Sequence, residues 1–179
     1  MGLSLLKTCE ELPVSLVEAK VFLRIDTDEE DMLLQNLIET SVQAVEAYTS
    51  CALLTQTWRF TTTGAHAQRL SDQGYIHEGL RSSSSQRCSG IELPKMPFKG
   101  LIGSPMICRE LPIPEVDAEE NEVDGTAVQR YRLDTSSRTA RLHVQDGMFD
   151  EKSYLVVDFI VGYGDTPEYV PAPLRQGVL

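Results

Sequence analysis

The sequence predicts an α+β fold: a small helical bundle, built from two N-terminal helices and a C-terminal helix, with a large β-rich insertion. Three observations predict it. Apolar residues recur at helical spacing behind two capping boxes over residues 15–51; the period drops to two near residue 54; and a proline-led helix start appears at Pro171. The divisions are 1–53 for the N-terminal helical part, 54–165 for the β-rich domain with a flexible polar loop at 64–90, and 166–179 for the start of a C-terminal helix returning to the bundle.

The first helix is expected over 16–24. In Ser15-Leu16-Val17-Glu18 the hydroxyl takes an amide of the first turn while the glutamate reaches back. Thr27-Asp28-Glu29-Glu30 reads as a second capping box, with Asp28 to Asp31 placing negative charge at the positive helix end. Leu33, Leu34, Leu37, Ile38, Ser41, Val45 and Tyr48 then recur to about Cys51, a helix of roughly 35 Å at 1.5 Å per residue. That stripe is expected to be buried against the first helix and a later segment.

Over 55–63 the pattern is that of a strand, with Trp58 and Phe60 on one face and Thr57, Arg59 and Thr61 on the other. Residues 64–90, rich in Gly and Ser, read as an exposed loop that orders only against a partner. Short strands follow: Ile91-Glu92, then 101–109 interrupted by Gly103 and Pro105. Residues 115–124 form an acidic tip ending in the turn signal Asp124-Gly125. Tyr131 and Leu133 are expected to pair with Leu142 and Val144 across a turn at 134–140. The strand 154–163 is apolar on nearly every position and so central; Gly162 and Gly164 end it. The helix at Pro171-Ala172-Pro173-Leu174-Arg175-Gln176 is short enough that it is expected to run on past Leu179. Closing that helix onto the first two leaves the β domain projecting from the bundle.

Composition removes several function classes. The chain has 179 residues, 41% hydrophobic and 24% charged, with a formal net charge of −11. Such a surface keeps a protein soluble and repels nucleic acid, which is held by clustered Lys and Arg. Val161-Gly162-Tyr163-Gly164-Asp165 resembles the filter sequence of potassium channels, but no run approaches the roughly 20 apolar residues of a membrane helix. No signal peptide is read, so Cys9, Cys51, Cys88 and Cys108, which form no CxxC pair, are expected to stay reduced in a cytosolic setting.

The residues that usually carry chemistry do not form a constellation. His77-Glu78 lacks the second histidine of a zincin, Ser104 lies in no GxSxG elbow, and no Gly-Lys-Ser/Thr loop is present. Asp26 to Asp31 are read as helix-capping charges and not as metal ligands. No catalytic, metal-binding or cofactor-binding residue is assigned, and the chain is read as no enzyme. Trp58 is read as a core residue beside Phe60.

Several stretches together resemble the head–tail connector (adaptor) family of long-tailed bacteriophages and phage-derived gene transfer agents. They are Val17-Glu18-Ala19-Lys20-Val21-Phe22-Leu23-Arg24-Ile25-Asp26 with Glu30-Asp31; Glu46-Ala47-Tyr48-Thr49 leading to Leu53-Leu54-Thr55-Gln56-Thr57-Trp58; and Ile91-Glu92-Leu93-Pro94. Asp124-Gly125-Thr126, Tyr131-Arg132-Leu133-Asp134, Arg141-Leu142, Gly162-Tyr163-Gly164-Asp165 and Val170-Pro171-Ala172-Pro173-Leu174-Arg175-Gln176 continue it in the right order. The resemblance implies a structural adaptor without cofactors. Its copies would form a homo-oligomeric ring, a dodecamer, below the portal protein. The ring would extend the DNA channel without sequence-specific binding and dock a stopper or tail-terminator protein. The implied location is the head–tail junction of a virion or gene transfer agent particle assembled in the bacterial cytoplasm. Candidate partner contacts are Arg69, Arg81 and Arg87 of the polar loop, with Pro171, Leu174 and Arg175. Two rival readings stand beside it: a soluble β-rich ligand- or carbohydrate-binding module using Trp58 and Tyr75 as stacking residues, and an enzyme with a scattered active site.

Overall fold

A computed structural model describes residues 1–67, 90–112, 123–144, 149–150 and 152–179. Residues 68–89 of the polar loop, with Cys88, His77 and Tyr75, and most of the acidic tip lie outside the described residues. Residues 64–67, read as the start of that exposed loop, are instead helical, with Gly64 and Ala67 buried and Ala67 part of the sheet core.

The fold is α+β, as the sequence predicts. Its elements run β1 (Gly2–Lys7), α1 (Leu16–Leu23), α2 (Asp31–Thr49), β2 (Gln56–Thr63), β3 (Ile91–Glu92) and β4 (Phe98–Leu101). There follow β5 (Met106–Cys108), β6 (Thr126–Ala127), β7 (Tyr131–Asp134), β8 (Arg141–Val144), β9 (Tyr154–Val161), a 3-10 turn (Pro167–Tyr169) and α3 (Ala172–Val178).

Ser15 caps α1 as its sequence indicates, accepting the Glu18 amide at 3.1 Å. Glu18 does not complete a capping box; its carboxylate is held by Arg175 of α3. Arg24 ends α1 in the left-handed region at φ 58°. The second capping box is not formed. α2 starts at Asp31, its N-cap position is Glu30 with no side-chain cap bond, and Asp28 and Asp31 pair instead with Lys20 of α1. A tertiary partner outcompetes the local cap, and the helix has 19 residues, about 28 Å.

Val14, Ala19, Ile38, Leu53, Leu54, Val170 and Val178 form the bundle core, where α1, α2 and α3 meet. Each fully buried aliphatic side chain there contributes about 2 kcal/mol of transfer free energy. The α2 stripe is only half covered: Leu34 and Ile38 are buried, whereas Leu33, Leu37 and Tyr48 are exposed within the subunit.

β9 is central, as its apolar run predicts. It pairs antiparallel with β2 along its whole length, and on its other edge with β4 and then β5. One strand pairing with two in succession explains the break at Gly103 and Pro105: Gly103 takes φ +67°, and the Ile102 amide donates to the Asp158 carbonyl at 2.8 Å between them. β1 extends the sheet beyond β2, so Gly2–Lys7 lies on the β-sheet although it falls within the stretch read as helical. The small sheet β3-β8-β7 has the register the sequence indicates, Tyr131 opposite Val144 and Leu133 opposite Leu142. Phe60, Leu142, Leu155, Val157 and Phe159 join the two sheets in one core.

Val161-Gly162-Tyr163-Gly164 is the seam between sheet and bundle. Gly162 takes φ +116°, and a Cβ there would lie 2.2 Å from the Leu54 carbonyl oxygen. The Gly162 amide donates to Pro97 O at 2.9 Å, and Thr55 donates to Gly164 O at 2.9 Å.

Candidate assembly surface

Three polar anchors decide which side chains remain available. Glu46 of α2 accepts the Leu53 amide at 2.7 Å and the Gln56 side-chain amide at 3.2 Å, while Gln56 accepts Trp58 Nε1 at 2.9 Å. This chain ties the bundle to β2 and satisfies the indole. Lys95 Nζ sits 4.9 Å from the Trp58 ring centroid. Trp58 is thus packed against the core, with its polar edge and one face occupied, and is no open stacking platform.

On the other face of the sheet, Arg59 and Asp158 are direct cross-strand neighbours joined by two bonds of 2.7 Å, Nε to Oδ1 and Nη2 to Oδ2. Arg59 is 1% exposed, so the pair is the charge-neutral solution to burying a guanidinium. Ser104 and Asp158 border a recess of about 250 Å³ with Ile102, Gly103, Met106, Val123 and Val156. That lining holds neither histidine nor cysteine, and its carboxylate is already engaged by Arg59. Cys108 is buried, and desolvation pushes its thiol pKa up, away from the reactive thiolate.

Among the described residues no group of three His, Cys, Asp or Glu side chains is placed to hold a metal ion, and no helix is long and apolar enough to cross a membrane. Cys9, Cys51 and Cys108 are free thiols. His143 sits on β8 opposite Arg132, its pKa lowered first by desolvation and then by Arg132. His66 is half-buried just after β2.

Of the residues singled out as partner contacts, three lie among the described residues. Arg69, Arg81 and Arg87 lie outside the described residues. Pro171 is the N-cap residue of α3, Leu174 packs on the bundle core, and Arg175 donates to Pro13 O at 3.1 Å and to Glu18. The structure gives Leu174 and Arg175 an internal role.

Among the described residues, most of the large apolar side chains left exposed lie on α1 and α2. Val17, Val21 and Phe22 of α1, with Met32, Leu37 and Tyr48 of α2, stand in solvent, Val21 at 74% and Tyr48 at 93%. Exposed apolar side chains gathered on two packed helices mark a contact surface.

The chain is similar to one in the virion of the native gene transfer agent (GTA) particle, with a TM-score of 0.65 and 18% identity over 99% of this chain and 80% of the other. It is similar to one in the neck of the empty GTA particle computed with C6 symmetry, at 0.65 and 19% over the same shares. A third similarity, to the neck of the native GTA particle computed with C12 symmetry, has a TM-score of 0.54 and 17% identity over 99% and 79%. At these identities the likeness is one of fold. A search of curated proteins finds no match. Residues 13–85, which take in α1, α2 and β2, match the family described as Phage gp6-like head-tail connector protein.

Proposed function

We propose that this chain is a structural head–tail adaptor of a tailed phage or gene transfer agent particle. In this reading identical copies form a ring, twelve in number, beneath the portal protein. The ring extends the DNA channel and presents the β domain to a stopper or tail-terminator protein at the head–tail junction of a particle assembled in the bacterial cytoplasm. The observation that carries the reading is the likeness of fold over 99% of the chain to GTA particle proteins, joined to the family match over residues 13–85.

The physical features support a passive role. The recess beside Asp158 offers an engaged carboxylate, and the exposed apolar helices offer contact area. A conduit must release the DNA it conducts, and −11 per copy repeated around a ring disfavours adhesion of phosphate where the acids line the lumen.

Light scattering and negative-stain imaging of the purified chain, alone and with portal rings, test this. Rings coaxial with the portal are expected. A chain that stays single beside saturating portal would overturn the reading.

A further inference from the structure

α2 carries two apolar seams. Leu34 and Ile38 are buried, and Ile38, Val42 and Val45 pack in the bundle core. Leu33, Leu37, Ala44 and Tyr48 recur at the same spacing but face solvent, with Leu37 52% exposed. Gln35, Asn36, Glu39 and Gln43 fill the remainder of the circumference and are also exposed. A surface helix needs one apolar stripe, so the second has a use outside the subunit.

Charge indicates what covers it. Residues 1–53 carry ten acidic and three basic side chains, and Asp26, Asp28, Glu29 and Glu30 crowd the start of α2 in exposed positions. Residues 90–144 as a whole carry nine acidic and seven basic side chains, but the hairpin and its approach, residues 130–144, carry one acidic and four basic. Four of the arginines, Arg130, Arg132, Arg138 and Arg141, lie on or beside β7 and β8, with Arg132, Arg138 and Tyr131 exposed. Two copies meeting helix to helix would oppose acid with acid. A copy presenting its β7–β8 hairpin to the next copy's α2 brings opposite charge together and sets an exposed tyrosine near the apolar seam.

We infer that the outer seam of α2 is covered by the β7–β8 hairpin of a second copy of this chain, in a head-to-tail contact. Such a contact uses two different surfaces and therefore repeats, closing into a ring when the rotation allows. It also turns the arginines toward a neighbour and away from a DNA passage. The inference rests on the ring reading above and specifies which faces make the ring.

The test uses the full chain and two double variants, Leu33→Asp/Leu37→Asp and Arg132→Glu/Arg138→Glu, whose positions are exposed or nearly so in the folded subunit. Circular dichroism checks each fold, and sedimentation velocity and negative stain, with and without portal rings, read assembly. Wild type is expected to form rings, and each variant alone to lose them. A mixture of the two is expected to stop at dimers, since it restores one good contact and no second. Rings that persist in the Leu33/Leu37 variant would overturn the inference, assign that seam to another protein and leave the ring reading standing. Self-association of the Arg132/Arg138 variant into two-fold dimers would replace head-to-tail contact with helix-to-helix contact. A wild type that never assembles, alone or on the portal, would remove the ring reading itself.

Discussion

Arg175 on α3 holds Glu18 on α1, its Nη2 2.7 Å from Oε1, across 157 residues of sequence. The same guanidinium donates Nε to Pro13 O at 3.1 Å. One side chain thus closes the third helix onto the first and onto the segment leading into it. Both partners are partly exposed, which limits the contribution. Arg175→Met is expected to lower stability by about 1 kcal/mol, read as a lower urea midpoint at unchanged slope. No change in midpoint would mean that apolar packing of Leu174 and Val178 closes the bundle alone.

Gly162 stands where no other residue fits without movement. Its φ of +116° and the 2.2 Å approach of a built Cβ to Leu54 O act together. Gly162→Ala is expected to cost at least about 2 kcal/mol, seen in thermal unfolding. Gly100, around which no atom lies within 4 Å of a built Cβ and whose φ is ordinary, is the control: Gly100→Ala is expected to be close to neutral.

Asp158 supplies both carboxylate oxygens to a guanidinium that is 1% exposed. Asp158→Ala is expected to destabilise by about 3 kcal/mol, since it strips the bidentate partner from a buried charge. The double variant Arg59→Met/Asp158→Leu is expected to recover most of that loss, because an apolar pair of similar volume carries no desolvation cost. Equal losses in the single and double variants would show that the pair has other essential work.

His143 gives the acid limb of stability a recognisable origin. Desolvation first, then Arg132 and Arg141, lower its pKa, with Asp134 opposing them. A base whose folded pKa lies below its unfolded value of about 6.5 favours the neutral form in the fold. Its contribution is therefore complete above about pH 6.5 and is lost as pH falls below that toward the lowered folded value. Asp28 and Asp134, lowered by hydrogen bonds from Lys20 and Ser136, keep their contributions down to the carboxylate range and lose them only below about pH 4. His143→Gln is expected to flatten the decline in melting temperature between pH 7 and 5 and leave the later decline in place, a pH window set by the imidazole and carboxylate reference values. An unchanged slope in that interval would contradict the assignment.

Much of this fold is legible locally. Ser15 caps α1 because its hydroxyl reaches an amide three residues on; Tyr131 and Leu133 find Leu142 and Val144 because a short turn fixes register; β9 is apolar on both faces because neighbours cover both. What escapes the sequence is decided at long range. Leu3-Ser4-Leu5-Leu6 shows no clean alternation, and β1 exists because β2 offers it an edge. Asp28 and Asp31 look like helix-start charges, but Lys20 takes them. Arg175 reads as a surface cation until α1 is folded beside it. The candidate contact surface was visible only in part. Leu33, Leu37 and Tyr48 belong to the same apolar periodicity as Leu34 and Ile38, and periodicity alone does not say that α1 and α3 together cover only half of it.

The proposed role is that this chain joins a filled head to a tail. Electron microscopy of particles made in cells lacking it, with and without the chain restored in trans, tests that most directly. DNA-containing heads that end at a bare portal, with tails left free and joined again on restoration, are the expected result; complete tailed particles in its absence would contradict the claim.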